Sequence, residues 1–558
     1  MRRLARLRYL RPAFGRVKGM FALAGLTTLL DSFVGLLPPY LARLLFDRGV
    51  AAGEVGTIIF YGALAAGALL FSTILGFAGQ ALSGIADSRF IMNVRSQALE
   101  RLLQMRLEFF DRQRSGYLAE QLDQVSHLAG FTSPLIFTFA GSLIQAVGAL
   151  LIMSRISAPI TAVVVPFMLL FYFITSKTSV RVKETSEELM ETSAQMKGSV
   201  QEMISGIAEV KQSTAEGRKS GEAAEQFAAV ASREIRQSIF MGIWMGSMGF
   251  LTGAAGVVVL ILCAILIVRG ELSVGDYMAL AGYVGVLFAP VGLFGSFVLT
   301  IQPAIVALGR LRPIFEEKTE GERGGRHRAG KLKGAVAFED VTFAYEPAKE
   351  PVLRSCSFTV APAECVALLG KNGAGKSTLI KLLLGFYPQY AGRIFIDGRE
   401  LQEYDVVSLR KRVGVVSQHV VLFTGSLWEN VKMASPEAAD GAVHRALALS
   451  GCRDLFDGEL DQVQVAESGK TMSGGQRQAV AIARCLLKDP DVLIFDEATA
   501  HLDSSTRSVV AHALRDVFAH KTRILITHDR EMAGVADTVL LLEEGVVKSL
   551  HPKWRPDD

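Results

Sequence analysis

The first 315 residues alternate between long apolar runs and long charged stretches, and the apolar runs decide the architecture. Gly19–Ala42 is apolar except for Asp31. Val55–Ala86, Leu128–Ser154, Ile156–Ser176, Gln237–Val268 and Tyr277–Gly309 contain no Asp, Glu, Lys or Arg. Each run can supply the ~20 apolar residues that a spanning helix needs. Buried core helices are the alternative, but a soluble core does not need six such runs. The pattern predicts six transmembrane helices over about 19–45, 55–82, 128–154, 156–177, 239–268 and 276–303.

The polar stretches after the second and fourth runs predict helices too. Arg95–Arg106 and Glu184–Gln201 lack Pro and are nearly free of Gly, a helix-forming composition. They would carry the spans beyond the membrane, with breaks near Ser115-Gly116 and near Ser205-Gly206 or Gly217. Both stretches are rich in Arg and Lys, as is the segment before the first span: Arg2, Arg3, Arg6, Arg8, Arg11, Arg16 and Lys18. Excess basic residues mark the cytoplasmic side, so the N-terminus and both long extensions are expected there. The apolar run continues past a signal-peptide core, and no small-residue cleavage site follows it. Residues 1–15, with Leu4, Leu7, Tyr9 and Leu10 among arginines, read as an interfacial helix on the inner leaflet.

Composition changes this picture little. The chain has 558 residues, 50% hydrophobic, with mean hydropathy +0.32, too long for a single core. The net charge of +4 is explained by the basic flanks, so nucleic acid need not be invoked. Cys263, Cys356, Cys365, Cys452 and Cys485 form no CxxC pair, and neither a disulfide framework nor a zinc site is indicated. Glu316–Lys333, charged and glycine-rich, reads as a linker.

Beyond the linker the pattern switches to short buried strands. Glu364–Leu369 reads as a strand and Leu379–Leu384 as the opening of a helix. Between them lie Gly370, Lys371, Asn372, Gly373, Ala374, Gly375, Lys376, Ser377 and Thr378. This is G-x-x-x-x-G-K-[ST], a loop whose backbone amides cradle nucleotide phosphates while Lys376 reaches the β- and γ-phosphates and Ser377 ligates Mg²⁺. Val492–Glu497 reads as a strand ending in two carboxylates. Asp496 suits Mg²⁺ through its water shell, and Glu497 suits the polarisation of the attacking water. Ser473-Gly474-Gly475-Gln476, before a helix over Ala479–Leu487, is a second glycine-rich helix start and so a second anion site.

With these motifs in place the chain resembles the ATP-binding cassette family across most of Gly334–Glu544. Met472–Gln476 is similar to the family's LSGGQ signature, with Met for Leu. The resemblance implies that Gln418 senses Mg²⁺ and the attacking water, that His528 contacts the γ-phosphate, and that Asp503 communicates across a dimer. It implies that Tyr345 stacks on adenine, a core tyrosine being the alternative. Six spans ahead of the cassette resemble exporter half-transporters, as does Val465–Gln476 with Glu467 and Gly469. Ala466, Ser468 and His501 depart from that pattern, which puts coupling or turnover in question. Phe109-Phe110-Asp111 resembles the family's first coupling region.

The expected chain is therefore multidomain: an all-α transmembrane domain of exporter type over 1–315, a linker over 316–333, and an α/β P-loop ATPase domain over 334–558. The resemblance implies ATP and Mg²⁺, a multi-pass protein of the cell inner membrane, and a homodimer, with a heterodimer as the alternative. It favours export of a lipid, drug or peptide; uptake on the exporter architecture and a non-transport ATPase are the rivals. No peptidase domain precedes the spans in this sequence, so leader-peptide cleavage is not expected. Asp31 is the sole acidic residue inside the six apolar runs. Either it faces the translocation path and favours cations, or it pairs with polar groups of another helix or lies nearer the membrane surface.

Overall fold

The computed structural model describes residues 9–111, 121–317, 319–323, 325–346, 348–371, 373–456, 460–466, 472–497, 513–528 and 530–550. Its contacts divide the chain into two units: Met1–Leu102 with Gly116–Glu316, and Leu103–Ser115 with Glu317–Asp558.

The first unit is helical. Its helices are α1 (Arg11–Gly15), α2 (Lys18–Val34), α3 (Leu37–Leu44), α4 (Val55–Leu103, whose last residue falls in the other unit), α6 (Pro134–Ile156), α7 (Ala158–Ser205), α8 (Ile207–Gln212), α9 (Glu216–Val268) and α10 (Val274–Glu316). A short helix of the second unit, α5 (Leu107–Asp111), intervenes in sequence. Six of the described segments are long and apolar enough to cross a membrane. Exposed Ile59, Phe60, Leu69, Leu70, Phe71, Ile74 and Phe77 run along α4, a surface suited to lipid or to another apolar face rather than water.

The ends of these helices follow local chemistry. Ser133 caps α6, its hydroxyl accepting from the Leu135 amide at 3.3 Å, and Pro134 takes the first helical position. The third helix thus starts at Pro134; Gln124–Phe131, where the sequence pattern began the span, is 3₁₀. The break after α7 falls at Gly206, and a second falls over Ser213–Ala215, so Gly217 lies inside α9. Ser115-Gly116 lies outside the described residues. Of the interfacial segment 1–15, residues 1–8 do too; Tyr9 stacks on Phe315 at 4.7 Å and its hydroxyl donates to the Leu308 carbonyl at 2.8 Å.

The first span is not one helix. Pro38 and Pro39 carry no N–H, so the carbonyls of Val34 and Gly35 lose their i+4 donors, and α2 gives way to a turn at Gly35-Leu36. The buried Tyr283 hydroxyl donates to the Leu36 carbonyl at 2.8 Å. Beyond α3 the chain widens to a π-helix, Leu45–Val50. There Arg43 lies 2.7 Å from Asp276 and 3.6 Å from Asp47, whose carboxylate accepts the Gly275 amide at 3.2 Å. These contacts tie the far end of the first span to the start of the last.

The second unit carries two main sheets. One has the order β2 (Leu353–Val360), β1 (Val336–Phe343), β4 (Ala391–Ile396), β5 (Arg399–Glu400). The other runs β12 (Val546–Leu550), β11 (Thr538–Glu543), β3 (Cys365–Leu369), β10 (Thr522–Ile526), β9 (Val492–Asp496), β6 (Val413–Val416), parallel except for β12. All residues of β3 and β10 are buried, as expected of parallel strands covered on both faces. The sequence linker is not free chain: the Glu320 carboxylate takes both terminal guanidinium nitrogens of Arg410 at 2.7 and 2.6 Å.

Candidate nucleotide site

The phosphate loop leaves β3 and enters a helix, α11 (Lys376–Leu383), that starts three residues earlier than the apolar pattern suggested. Gly375 has φ +106, and a side chain there would meet Leu353 at 2.9 Å. Glycine is therefore required for both conformation and space. Gly375 caps the helix without any side-chain bond, and no acidic residue occupies the first turn. The Thr378 amide donates to the Gly375 carbonyl at 3.0 Å, which leaves the Lys376 and Ser377 amides and the positive dipole end to an anion.

Lys376 is 6% exposed at its side chain, and its ammonium donates to the Gly370 carbonyl at 2.6 Å and to that of Lys371 at 3.2 Å. The same nitrogen lies 3.4 Å from Glu497. Glu497, just past β9, adopts φ +47, strained for a residue with a side chain. Its amide donates to the Ile526 carbonyl at 2.9 Å. Its carboxylate accepts from the Gln418 amide at 2.9 Å and lies 3.9 Å from His528 Nδ1. Lys376, Gln418, Glu497 and His528, far apart in sequence, are thus gathered around one carboxylate.

Asp496 lies beside this group. Burial raises its pKa above the usual carboxylate value and the Glu497 charge adds to the rise, opposed by Lys376, a Ser377 hydroxyl bond and His419. The donor set fits Mg²⁺: a hard carboxylate and a hydroxyl. Among the described residues no group of three or more His, Cys, Asp and Glu side chains gathers into a metal cage. A raised pKa means that the folded form holds the proton more tightly than the unfolded chain. Stability is then lost as pH rises from the ordinary value through the raised one. Asp496→Asn is expected to raise the melting temperature of the nucleotide-free protein at pH 7, with a gain that vanishes at low pH. A melting curve in metal-free buffer at both pH values checks it; equal or lower stability at pH 7 would oppose it.

The remaining residues divide. Thr378 is buried and its hydroxyl pairs with that of Tyr345 at 3.1 Å. The Tyr345 ring meets Phe343 and Tyr387 edge-on at 5.0 and 5.2 Å, and Lys381 lies 5.3 Å over it. Ser473 caps α12 (Gly474–Lys488), which begins at Gly474 and not at Ala479. Its hydroxyl accepts from the Gln476 amide at 3.2 Å, and the Gln476 side chain accepts the Ser473 amide at 2.9 Å. Gln476 also donates to the Leu455 carbonyl at 2.8 Å. Met472 is buried in an apolar cluster with Leu427, Val431 and Phe456, which is why Met serves where the motif usually has Leu. Asn372, Glu467, Ser468, Gly469, His501 and Asp503 lie outside the described residues; Ala466 follows β8 (Gln464–Val465), which pairs antiparallel with β7 (Gly425–Ser426).

Some groups at the site belong to no motif. His419 acts on Asp496, and its adjacency to Gln418 was the available signal. Asp111, at the end of α5, accepts from the Tyr387 hydroxyl and lies 3.8 Å from Lys381, while Leu107 packs on the apolar core of the second unit. Through Lys381 and Tyr387 this short helix is linked to Tyr345.

Residues 353–500 match the family described as ABC transporter, and residues 21–291 match the ABC transporter transmembrane region. ATP-binding cassette sub-family B member 6 of Mus musculus is 36% identical over 292 residues, 51% of this chain and 34% of that protein. The ABC transporter aclQ of Aspergillus oryzae is 29% identical over 462 residues, 82% of this chain and 57% of that one. A multidrug efflux ATP-binding/permease protein of Mycobacterium bovis is 26% identical over 544 residues, covering 96% and 45%. The chain thus spans about a third to somewhat over half of the length of these relatives. A helical region with six candidate spans ahead of a phosphate-loop ATPase sheet, each matched to its own family, places the chain in the ATP-binding cassette transporter family.

Proposed function

We propose that the chain is one half of an ATP-driven exporter of the cytoplasmic membrane, and that two copies form the working unit. The observation that carries this is the convergence of Lys376, Gln418 and His528 on Glu497 beside Asp496. Glu497 acts as general base on the water that attacks the γ-phosphate, and Gln418 and His528 orient that water and the phosphate. Lys376 and the loop amides hold the β- and γ-phosphates; Tyr345 stacks on adenine. Ser377, Asp496 and Gln418 would hold Mg²⁺, which would supply charge neutralisation to the phosphates. Ser473–Gln476 of one copy closes over the nucleotide held by the other, with Asp503 near that seam.

The basic flanks support a cytoplasmic N-terminus and ATPase domain. All the catalytic groups are present in this one chain, which supports a homodimer. Inside-out vesicles containing the chain test direction: ATP-driven, vanadate-sensitive accumulation of substrate means export, and ATP-driven depletion means uptake. Lipids, hydrophobic drugs and small peptides are the classes to screen by stimulated hydrolysis.

A further inference from the structure

We propose that Asp31, Ser72 and Gln145 form the polar part of a site that takes an amphipathic organic cation. The inference rests on the transporter reading and names the class of molecule that reading leaves open. The three residues come from the first, second and third spans. Each lies within one helical turn of the middle of its apolar stretch: Gly19–Ala42, Val55–Ala86 and Pro134–Ile156. The Ser72 hydroxyl donates to Asp31 at 2.5 Å. Gln145 lies against the backbone where α2 breaks, its amide nitrogen 2.7 Å from where a Gly35 side chain would begin. That contact is one turn from Asp31.

Three features give the site its sign. Among the described residues Asp31 has no ion pair, and a carboxylate at mid-membrane is expensive without a positive partner. The five apolar runs Val55–Ala86, Leu128–Ser154, Ile156–Ser176, Gln237–Val268 and Tyr277–Gly309 contain no Lys or Arg that could serve as one. The break in α2 adds the carbonyls of Val34 and Gly35, deprived of their helical donors by Pro38 and Pro39. Broken helices with freed carbonyls at mid-membrane suit cations. Gln145 forms no hydrogen bond among the described residues, so its amide oxygen can accept from a protonated amine. Leu30 and Phe33 beside Asp31 are 47% and 61% exposed, an apolar surface for the body of such a molecule.

The test uses the full chain in zwitterionic nanodiscs without nucleotide, with tetraphenylphosphonium and tetraphenylborate as probes of matched shape and opposite charge. The cation is expected to raise the melting temperature of the wild type and the anion to leave it unchanged. Asp31→Asn should raise the half-saturating concentration of the cation about 10-fold or more, the equivalent of ~1.4 kcal/mol. Asp31→Glu, which keeps the carboxylate, should retain cation binding and discrimination, so the proposal stays testable where Asp31→Asn fails to fold; loss of discrimination in Asp31→Glu would count against it. Equal response to both probes in the wild type, or an unchanged half-saturating concentration in Asp31→Asn, would overturn it and leave Asp31 as an interhelical hydrogen-bond partner only. Because binding is read without nucleotide, a negative result leaves the ATPase reading standing.

Discussion

Glu497→Gln is expected to lower ATP hydrolysis about 100-fold or more while tightening ATP binding. The loss follows from removing the base. The tighter binding follows from the arrangement without nucleotide, in which Glu497 lies 3.4 Å from the Lys376 ammonium. A γ-phosphate must compete with that carboxylate for Lys376, and its negative charge is repelled by it. Glutamine keeps the shape and the hydrogen-bonding capacity towards Gln418, but removes both the competitor and the repulsion. Hydrolysis and nucleotide affinity measured on the same preparation check the two halves together. Near-normal turnover would remove Glu497 from its role as base, and unchanged affinity would remove the competition.

Lys376→Ala is expected to weaken ATP binding by about 10- to 100-fold, since a charge-assisted bond to phosphate is worth ~1.5–3 kcal/mol. It has a second consequence in the nucleotide-free protein. Glu497 is 11% exposed at its side chain, and losing Lys376 leaves that carboxylate, among the described residues, with Gln418 and His528. A buried charge stripped of its partner is destabilising, so Lys376→Ala should melt earlier than the wild type. Lys376→Ala with Glu497→Gln should recover that stability without recovering hydrolysis. Equilibrium binding and melting curves for the single and double variants decide the point; a double variant no more stable than Lys376→Ala would contradict the pairing.

The sequence made the local parts of this site legible and the assembled parts not. Gly375, Lys376 and Ser377 form a motif because one loop must wrap a phosphate, and Asp496 and Glu497 are adjacent because one strand end must present both. Such demands leave a fixed spacing. The Lys376–Glu497 pair leaves none, because parallel strands β3, β10 and β9 bring distant segments side by side. The link from Asp111 to Tyr387 is hidden for the same reason. Six spans were legible because a bilayer demands length and apolarity. The interruption of the first span was also written, in Gly35, Pro38 and Pro39, but a hydropathy reading averages over it. Gln476 read as a phosphate-site residue, whereas the structure also gives it the work of capping α12 and holding Leu455.

In the proposed dimer each nucleotide is enclosed by the phosphate loop of one copy and the Ser473 segment of another, related head-to-tail by a two-fold axis. Met472 is buried and makes a poor cross-linking site, whereas Ser473 is exposed and nearly isosteric with cysteine. The native cysteines are all buried. Burial pushes the thiols of Cys356, Cys365 and Cys452 up to about 11 and that of Cys485 up to about 12, so they will not compete for oxidant. The decisive measurement mixes Ala374→Cys and Ser473→Cys chains, each also carrying Glu497→Gln, under mild oxidation with and without ATP. A disulfide needs Cα atoms within ~7 Å, so the account predicts a cross-linked dimer on a non-reducing gel, in higher yield with ATP. No cross-link between the two chains with ATP bound, or an internal bond alone when one chain carries both cysteines, would contradict it.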